Sequence, residues 1–163
     1  MCRLALLPAL TPDLLSRCLQ VRREVFVLGK GVPEDLEVDA CDCLDTSCTH
    51  FLLQVDGEDA GALRCQPEGL SEIRVQRFCL KASYRGGGWG RTALEAVERH
   101  WAALGTRRIV LDAKFEVSGF YRACGYRQTS DIFQEAGIPH IRMEKALPVP
   151  GRASRTPQQN PTF

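Results

Sequence analysis

Apolar residues recur along this chain with two different periods, and the switch from one to the other divides it into elements. Leu14, Leu15, Cys18, Val21 and Val25 form a broad stripe at helical spacing. Thr11 ahead of Pro12-Asp13 supplies an N-cap with proline in the first turn, while Gly29, Gly31 and Pro33 end the run. An acidic loop follows from Glu34 to Asp45. His50–Val55 and Gly61–Cys65 read as strands joined through Asp56-Gly57, a hairpin signal. Further on, Trp89, Ala93, Leu94, Val97, Trp101 and Leu104 mark one face of a longer helix, and Gly105 stands where a terminating glycine belongs. Arg108–Asp112 reads as a short buried strand and Val117–Ala123 as a helix ended by Gly125. Tyr126–Phe133 and Ile138–Glu144 read as two strands flanking the turn Glu135-Ala136-Gly137, and Pro139 puts the last one at an edge or delays its start.

The strand Glu72–Leu80 breaks the rule of alternation. Ile73 and Val75 are odd-numbered, whereas Phe78 and Leu80 are even. A period of two cannot change parity without an extra residue, so the pattern predicts a β-bulge at Gln76-Arg77. A strand buried on both faces would explain the same run without one. A weak first strand precedes all of this, and the order of elements predicts a mixed α/β fold with helices layered on one central sheet.

Composition narrows the possibilities. A chain of 163 residues with 44% hydrophobic and 25% charged positions suits a single domain with a proper core, here residues 1–147. Residues 148–163 carry no apolar period and read as a flexible tail. A net charge of +1 offers no footprint for a polyanion, so nucleic-acid binding is not expected. No apolar run is long enough to span a membrane, and the apolar start MCRLALLPAL is too short for a signal peptide. Eight cysteines without a secretory signal read as reduced thiols in a cytoplasmic protein. Cys41, Cys43 and Cys48, with His50 nearby, match no standard zinc spacing, and no metal is expected.

The segment YRGGGWGRT, Tyr84 to Thr92, carries the chemistry. Four glycines in five positions between a strand and a helix suggest a cradle for phosphate, because successive backbone N–H groups at a helix N-terminus form a concave anion site. A Walker A loop does not fit, since Arg85 stands at its first glycine position and Arg91 at its lysine. A dinucleotide fingerprint can be drawn through Gly88, Gly90 and Ala93, with Asp112 as the ribose-binding acid. Too little chain follows to complete its parallel sheet. Arg85-x-x-Gly88-x-Gly90, read as a unit, resembles the R/Q-x-x-G-x-G/A signature of the GNAT N-acetyltransferase superfamily. GVPEDLEVD after REVFV, KASYRGGGWG, GFYRACGY and EAGIPHIRM resemble its ElaA/YjcF-like branch, from about Gln20 to Leu147.

The resemblance implies a GNAT-type, mostly antiparallel sheet with helices on both faces and a splayed strand pair. It implies acetyl-CoA as co-substrate, with the backbone of Gly86, Gly87, Gly88, Trp89 and Gly90 around the pyrophosphate and Arg85 and Arg91 assisting. Backbone groups of Phe78, Cys79 and Leu80 would pair with the pantetheine arm. Tyr121 matches the tyrosine that protonates the departing sulfur. Glu72 and His140 are candidates for the base, and Glu37, Asp39 and His140 for contact with the acceptor. Four positions depart from the family: Gly87 replaces a basic residue, Gly29-Lys30 a Glu-Gln pair, and Lys114 an asparagine. The implied activity is acetyl transfer from acetyl-CoA to an amine of a small molecule or peptide by direct attack, with homodimer formation left open. A catalytically silent acyl-CoA-binding module and a dinucleotide-binding protein are the alternatives.

Overall fold

Thr11 opens the first helix as its sequence requires: its hydroxyl accepts the Leu14 N–H at 3.3 Å, and Pro12 needs no partner for its missing N–H. Helix α1 covers Pro12–Arg22 and widens without a break into a π-helical stretch, Arg23–Leu28, that ends at Gly29. The computed structural model describes residues 2–149, so the expected tail lies outside the described residues from position 150 onward. The acidic loop contains one short helix, α2 (Glu34–Glu37).

Eight strands form one sheet: β1 (Leu4–Pro8), β2 (Thr49–Val55), β3 (Glu58–Glu68), β4 (Glu72–Leu80), β5 (Arg108–Lys114), β6 (Arg127–Gln128), β7 (Phe133–Glu135) and β8 (Ile138–Ala146). Their order is β1-β2-β3-β4-β5-β8-β6, with β7 also paired to β8. Every pairing is antiparallel except β4 with β5. Helix α3 (Trp89–Ala103) supplies the crossover between these two parallel strands, and α4 (Ser118–Ala123) follows β5.

The bulge is present. Ala62 pairs with Cys79 and Arg64 with Gln76, so Arg77 and Phe78 together stand opposite Leu63. Arg77 absorbs the extra residue in a left-handed conformation, with φ of 53°. Ile73 and Val75 before it, and Phe78 and Leu80 after it, consequently face the same core, which α3 covers with Ala93, Leu94 and Val97. Cys79 faces the other way, joining Leu52 and Ala62 beneath Leu15, Cys18 and Val21 of α1. The sheet thus has helices on both faces, and the parity break at the bulge is what lets one strand serve them consistently.

Two sequence expectations change in detail. The run Tyr126–Phe133 is not one strand but β6 and β7 with an excursion between them. Ser130 causes the break, because its hydroxyl accepts the Arg142 N–H at 2.8 Å and so replaces a ladder partner. Pro139 sits where β8 has only β7 beside it, since pairing with β5 begins at His140. An edge position suits a residue with no N–H to give.

Candidate active site

Strands β4 and β5 hold together for only three residue pairs, Glu72–Arg74 with Arg108–Val110, and then part. The bulge lies just beyond the last pair and turns the rest of β4 away. Past Leu80 a tight turn, Ala82–Tyr84, leads into the glycine segment. Gly86 and Gly88 have φ of 79° and 83°, which a side chain would oppose. Gly88 is the N-cap of α3 and delivers the free N–H groups of the first helical turn to the opening. At Gly90 a Cβ would lie 3.0 Å from the Phe120 ring, so the absence of a side chain lets α3 and α4 close together.

A cleft of about 490 Å³ occupies this opening. Phe78, Cys79 and Leu80 form one wall, and Arg85, Gly86, Gly88, Gly90 and Arg91 form the phosphate-like end. Val117, Phe120 and Tyr121 face them from the far side, and Val25 and Lys30 close the remaining edge. Arg85 is drawn back onto the strand, its Nε donating to the Leu80 carbonyl at 3.0 Å. Gly87 and Trp89 belong to the same turn but do not line the cleft. Burial, reinforced by Cys124, pushes the Tyr121 phenol up to about 12, so this group holds its proton throughout the neutral range. Burial likewise pushes the Cys79 thiol up to about 12, which leaves a neutral sulfur with little nucleophilic character.

The other candidate residues are not brought to the cleft. Glu72 stands at the opposite end of β4 from Phe78, six residues or roughly 20 Å away along an extended strand, and pairs with Arg108 at 3.1 Å. His140 is buried at the start of β8. Its Nδ1 lies 2.7 Å from the Ile138 carbonyl, its Nε2 lies 3.3 Å from Glu135, and its ring stacks on Phe133. Glu37 belongs to a buried ionic network, and Asp39 joins it from the exposed side. Arg22 donates to Glu37 at 2.8 Å and to Asp42 at 2.7 Å, and Arg64 donates to Asp39 at 2.8 Å and to Asp42 at 2.9 Å. From the bulge, Arg77 donates to the Glu37 carbonyl at 3.2 Å and clasps α2 to the strand. Burial alone would raise the Asp42 carboxyl, but hydrogen bonds from Arg22, the Asp39 N–H and Arg64 reverse this and bring it to about 2.

Lys30 was visible in the sequence only as a departure, and Val25, Val117 and Phe120 were not anticipated in the cleft. The Lys30 ammonium lies 5.7 Å above the Phe26 ring. Burial, together with the nearby Lys114 and Arg85 charges, lowers its pKa from the usual lysine range. Asp112, the acid required by a dinucleotide reading, is bound by Arg74 of β4. Among the described residues no group of three or more His, Cys, Asp or Glu side chains is arranged to hold a metal ion, and no helix is long and apolar enough to cross a membrane.

A mostly antiparallel sheet whose one parallel pair parts beside a glycine turn is the arrangement that the sequence resemblance implies. The chain belongs to the acetyltransferase (GNAT) domain family, whose model matches residues 36–147. It is 32% identical over 133 residues to the uncharacterised N-acetyltransferase YjcF of Bacillus subtilis, covering 80% of this chain and 91% of that one. An acyl-CoA N-acyltransferase from Pseudomonas aeruginosa superposes with a TM-score of 0.72 at 29% identity, covering 90% of this chain and 100% of that one. ElaA of Escherichia coli shares the fold with a TM-score of 0.75 at 23% identity, over 89% and 99% of the two chains. These similarities agree with the ElaA/YjcF-like branch.

Proposed function

We propose that the protein transfers an acetyl group from acetyl-CoA to an amine by direct attack on the thioester. The observation that carries this reading is the cleft itself, a strand pair parting next to a glycine turn that caps a helix. Backbone N–H groups of the Gly86–Gly90 turn and the α3 dipole would take the pyrophosphate, with Arg85 and Arg91 beside it. Phe78, Cys79 and Leu80 would offer the free β4 edge to the pantetheine arm, and an N–H there would stabilise the developing oxyanion. An aminoglycoside 6'-N-acetyltransferase of the same fold, 15% identical with a TM-score of 0.70, was solved in complex with coenzyme A.

Direct transfer fits the chemistry of the lining. Cys79 is neutral and buried, which disfavours an acyl-cysteine intermediate. Tyr121 retains a proton to give to the departing thiolate. No carboxylate or imidazole is among the lining residues, which favours an amine that reaches the thioester already deprotonated. The burial and the positive charge of Lys114 and Arg85 that lower the Lys30 pKa would act on an incoming ammonium in the same direction. A cytoplasmic setting accords with eight free cysteines.

The test is a thermal-shift comparison of acetyl-CoA, coenzyme A, NAD and ATP, followed by thiol release with a panel of amines. Stabilisation by acetyl-CoA and coenzyme A, with amine-dependent thiol release, is the expected result. No shift with saturating acetyl-CoA overturns the reading. Binding with no amine-stimulated release selects the silent acyl-CoA-binding module instead.

A further inference from the structure

Two of the three cations that line the cleft, Lys30 and Arg85, have no ion-pair partner among the described residues. The lining includes Lys30, Arg85 and Arg91 and no carboxylate. Arg91 has Glu95 as a partner at 3.3 Å, but among the described residues no carboxylate lies within ion-pair distance of Lys30, Arg85 or Lys114. Arg85 and Arg91 flank the glycine turn, where a pyrophosphate would satisfy them. Lys30 follows the π-helical end of α1 and lines the cleft with its ammonium above the Phe26 ring. Burial, with the Lys114 and Arg85 charges, outweighs the opposing pull of Cys79 and Glu116 and lowers the Lys30 pKa.

The acids that would suit a cationic acceptor are meanwhile committed elsewhere. Glu37 is buried against Arg22 and approached by Arg77 at 3.5 Å, and Asp39 is bound by Arg64. An exposed ammonium at the edge of a cleft, with no ion-pair partner of its own, is free to take an anion that a ligand brings. Resting on the acetyltransferase reading above, we infer that the acceptor is a small amine that also carries an anionic group, a carboxylate or a phosphate, bound by Lys30. The two demands agree. The anionic group seats the molecule against Lys30, while the surrounding positive charge favours the free-base form of its amine.

Thiol release is to be measured with acetyl-CoA and matched amines: glycine and β-alanine as carboxylates, phosphoethanolamine as a phosphate, glycinamide and ethanolamine as neutral controls, and spermidine as a polycation. The anionic members are expected to exceed their neutral counterparts in kcat/KM by roughly tenfold or more. Comparing glycine and β-alanine with phosphoethanolamine decides which anion is preferred. Lys30→Gln is expected to raise the KM for the anionic acceptor roughly tenfold with kcat and the acetyl-CoA KM little changed. Lys30→Arg retains the preference, and Lys30→Glu moves it to the neutral amines or spermidine. Equal use of neutral and anionic amines overturns the inference. So does a Lys30→Gln effect confined to the acetyl-CoA KM, or no release with any member from a protein that acetyl-CoA stabilises thermally. Lack of that stabilisation is the separate failure of the underlying reading.

Discussion

Arg22 and Asp42 meet entirely out of solvent, Nη1 to Oδ1 at 2.7 Å and Nη2 to Oδ2 at 3.1 Å, with side chains 1% and 0% exposed. A buried pair stabilises a fold only when its remaining hydrogen-bonding positions are filled, and here Arg64 and the Asp39 N–H fill those of Asp42. Asp42→Asn removes the charge and leaves two buried guanidiniums short of a partner. It should lower stability by about 3 kcal/mol or more in urea unfolding, whereas Asp45→Asn, on an exposed residue of the same loop, should change it little.

The pH dependence of stability should have two separate limbs. Burial lowers the His50 pKa, and its Nδ1 is buried without a partner. The unfolded chain then takes up a proton that the folded one resists, so stability is full above about pH 6.5 and declines as pH falls below it. A second loss follows between about pH 4 and pH 2, where Asp42 is protonated in the unfolded chain but still ionised in the folded one. Urea midpoints measured from pH 8 to pH 5 should reveal the first limb, and His50→Gln should flatten it.

Tyr121→Phe tests the proton donor. The substitution keeps the ring packed against Phe120 and Tyr126 and removes only the hydroxyl. Thiol-release kcat is expected to fall about a hundredfold, with coenzyme A affinity retained. Because the phenol holds its proton to about pH 12, the parent protein should show no alkaline decline in kcat up to pH 10. A decline near pH 8 would assign the acid to another group.

Gly88→Ala places a side chain on a residue with φ of 83° at the mouth of the glycine turn. The strain is on the order of 1 kcal/mol, and the turn is expected to relax away from the geometry that directs its N–H groups. Coenzyme A affinity, measured by calorimetry, should fall by roughly tenfold or more, while the unfolding midpoint moves by only a few degrees.

The sheet, the helices and the glycine turn were legible because each depends on neighbours close in sequence. Even the bulge was encoded in the parity of Ile73, Val75, Phe78 and Leu80. Where the candidate acids stand relative to the cleft depended on distance and partners instead. Glu72 shares a strand with Phe78, but extended backbone carries the two far apart. Glu37 and Asp39 look like surface acids until Arg22, Arg64 and Arg77 arrive from 15, 25 and 40 residues away. Lys30 lies two residues past the π-helical end of α1, a feature with no recognised signature in its residues.

The doubled residue opposite Leu63 makes the length of β4 as consequential as its composition. Exchanging Arg77 for another residue leaves both halves of the strand facing as they do. Deleting it in frame would restore strict alternation and rotate everything downstream by half a turn, sending Phe78 and Leu80 beneath α1 and Cys79 beneath α3. A substitution here costs the hold of Arg77 on α2 but keeps the facing of the strand, while the loss of a single codon would exchange the two faces of its final residues.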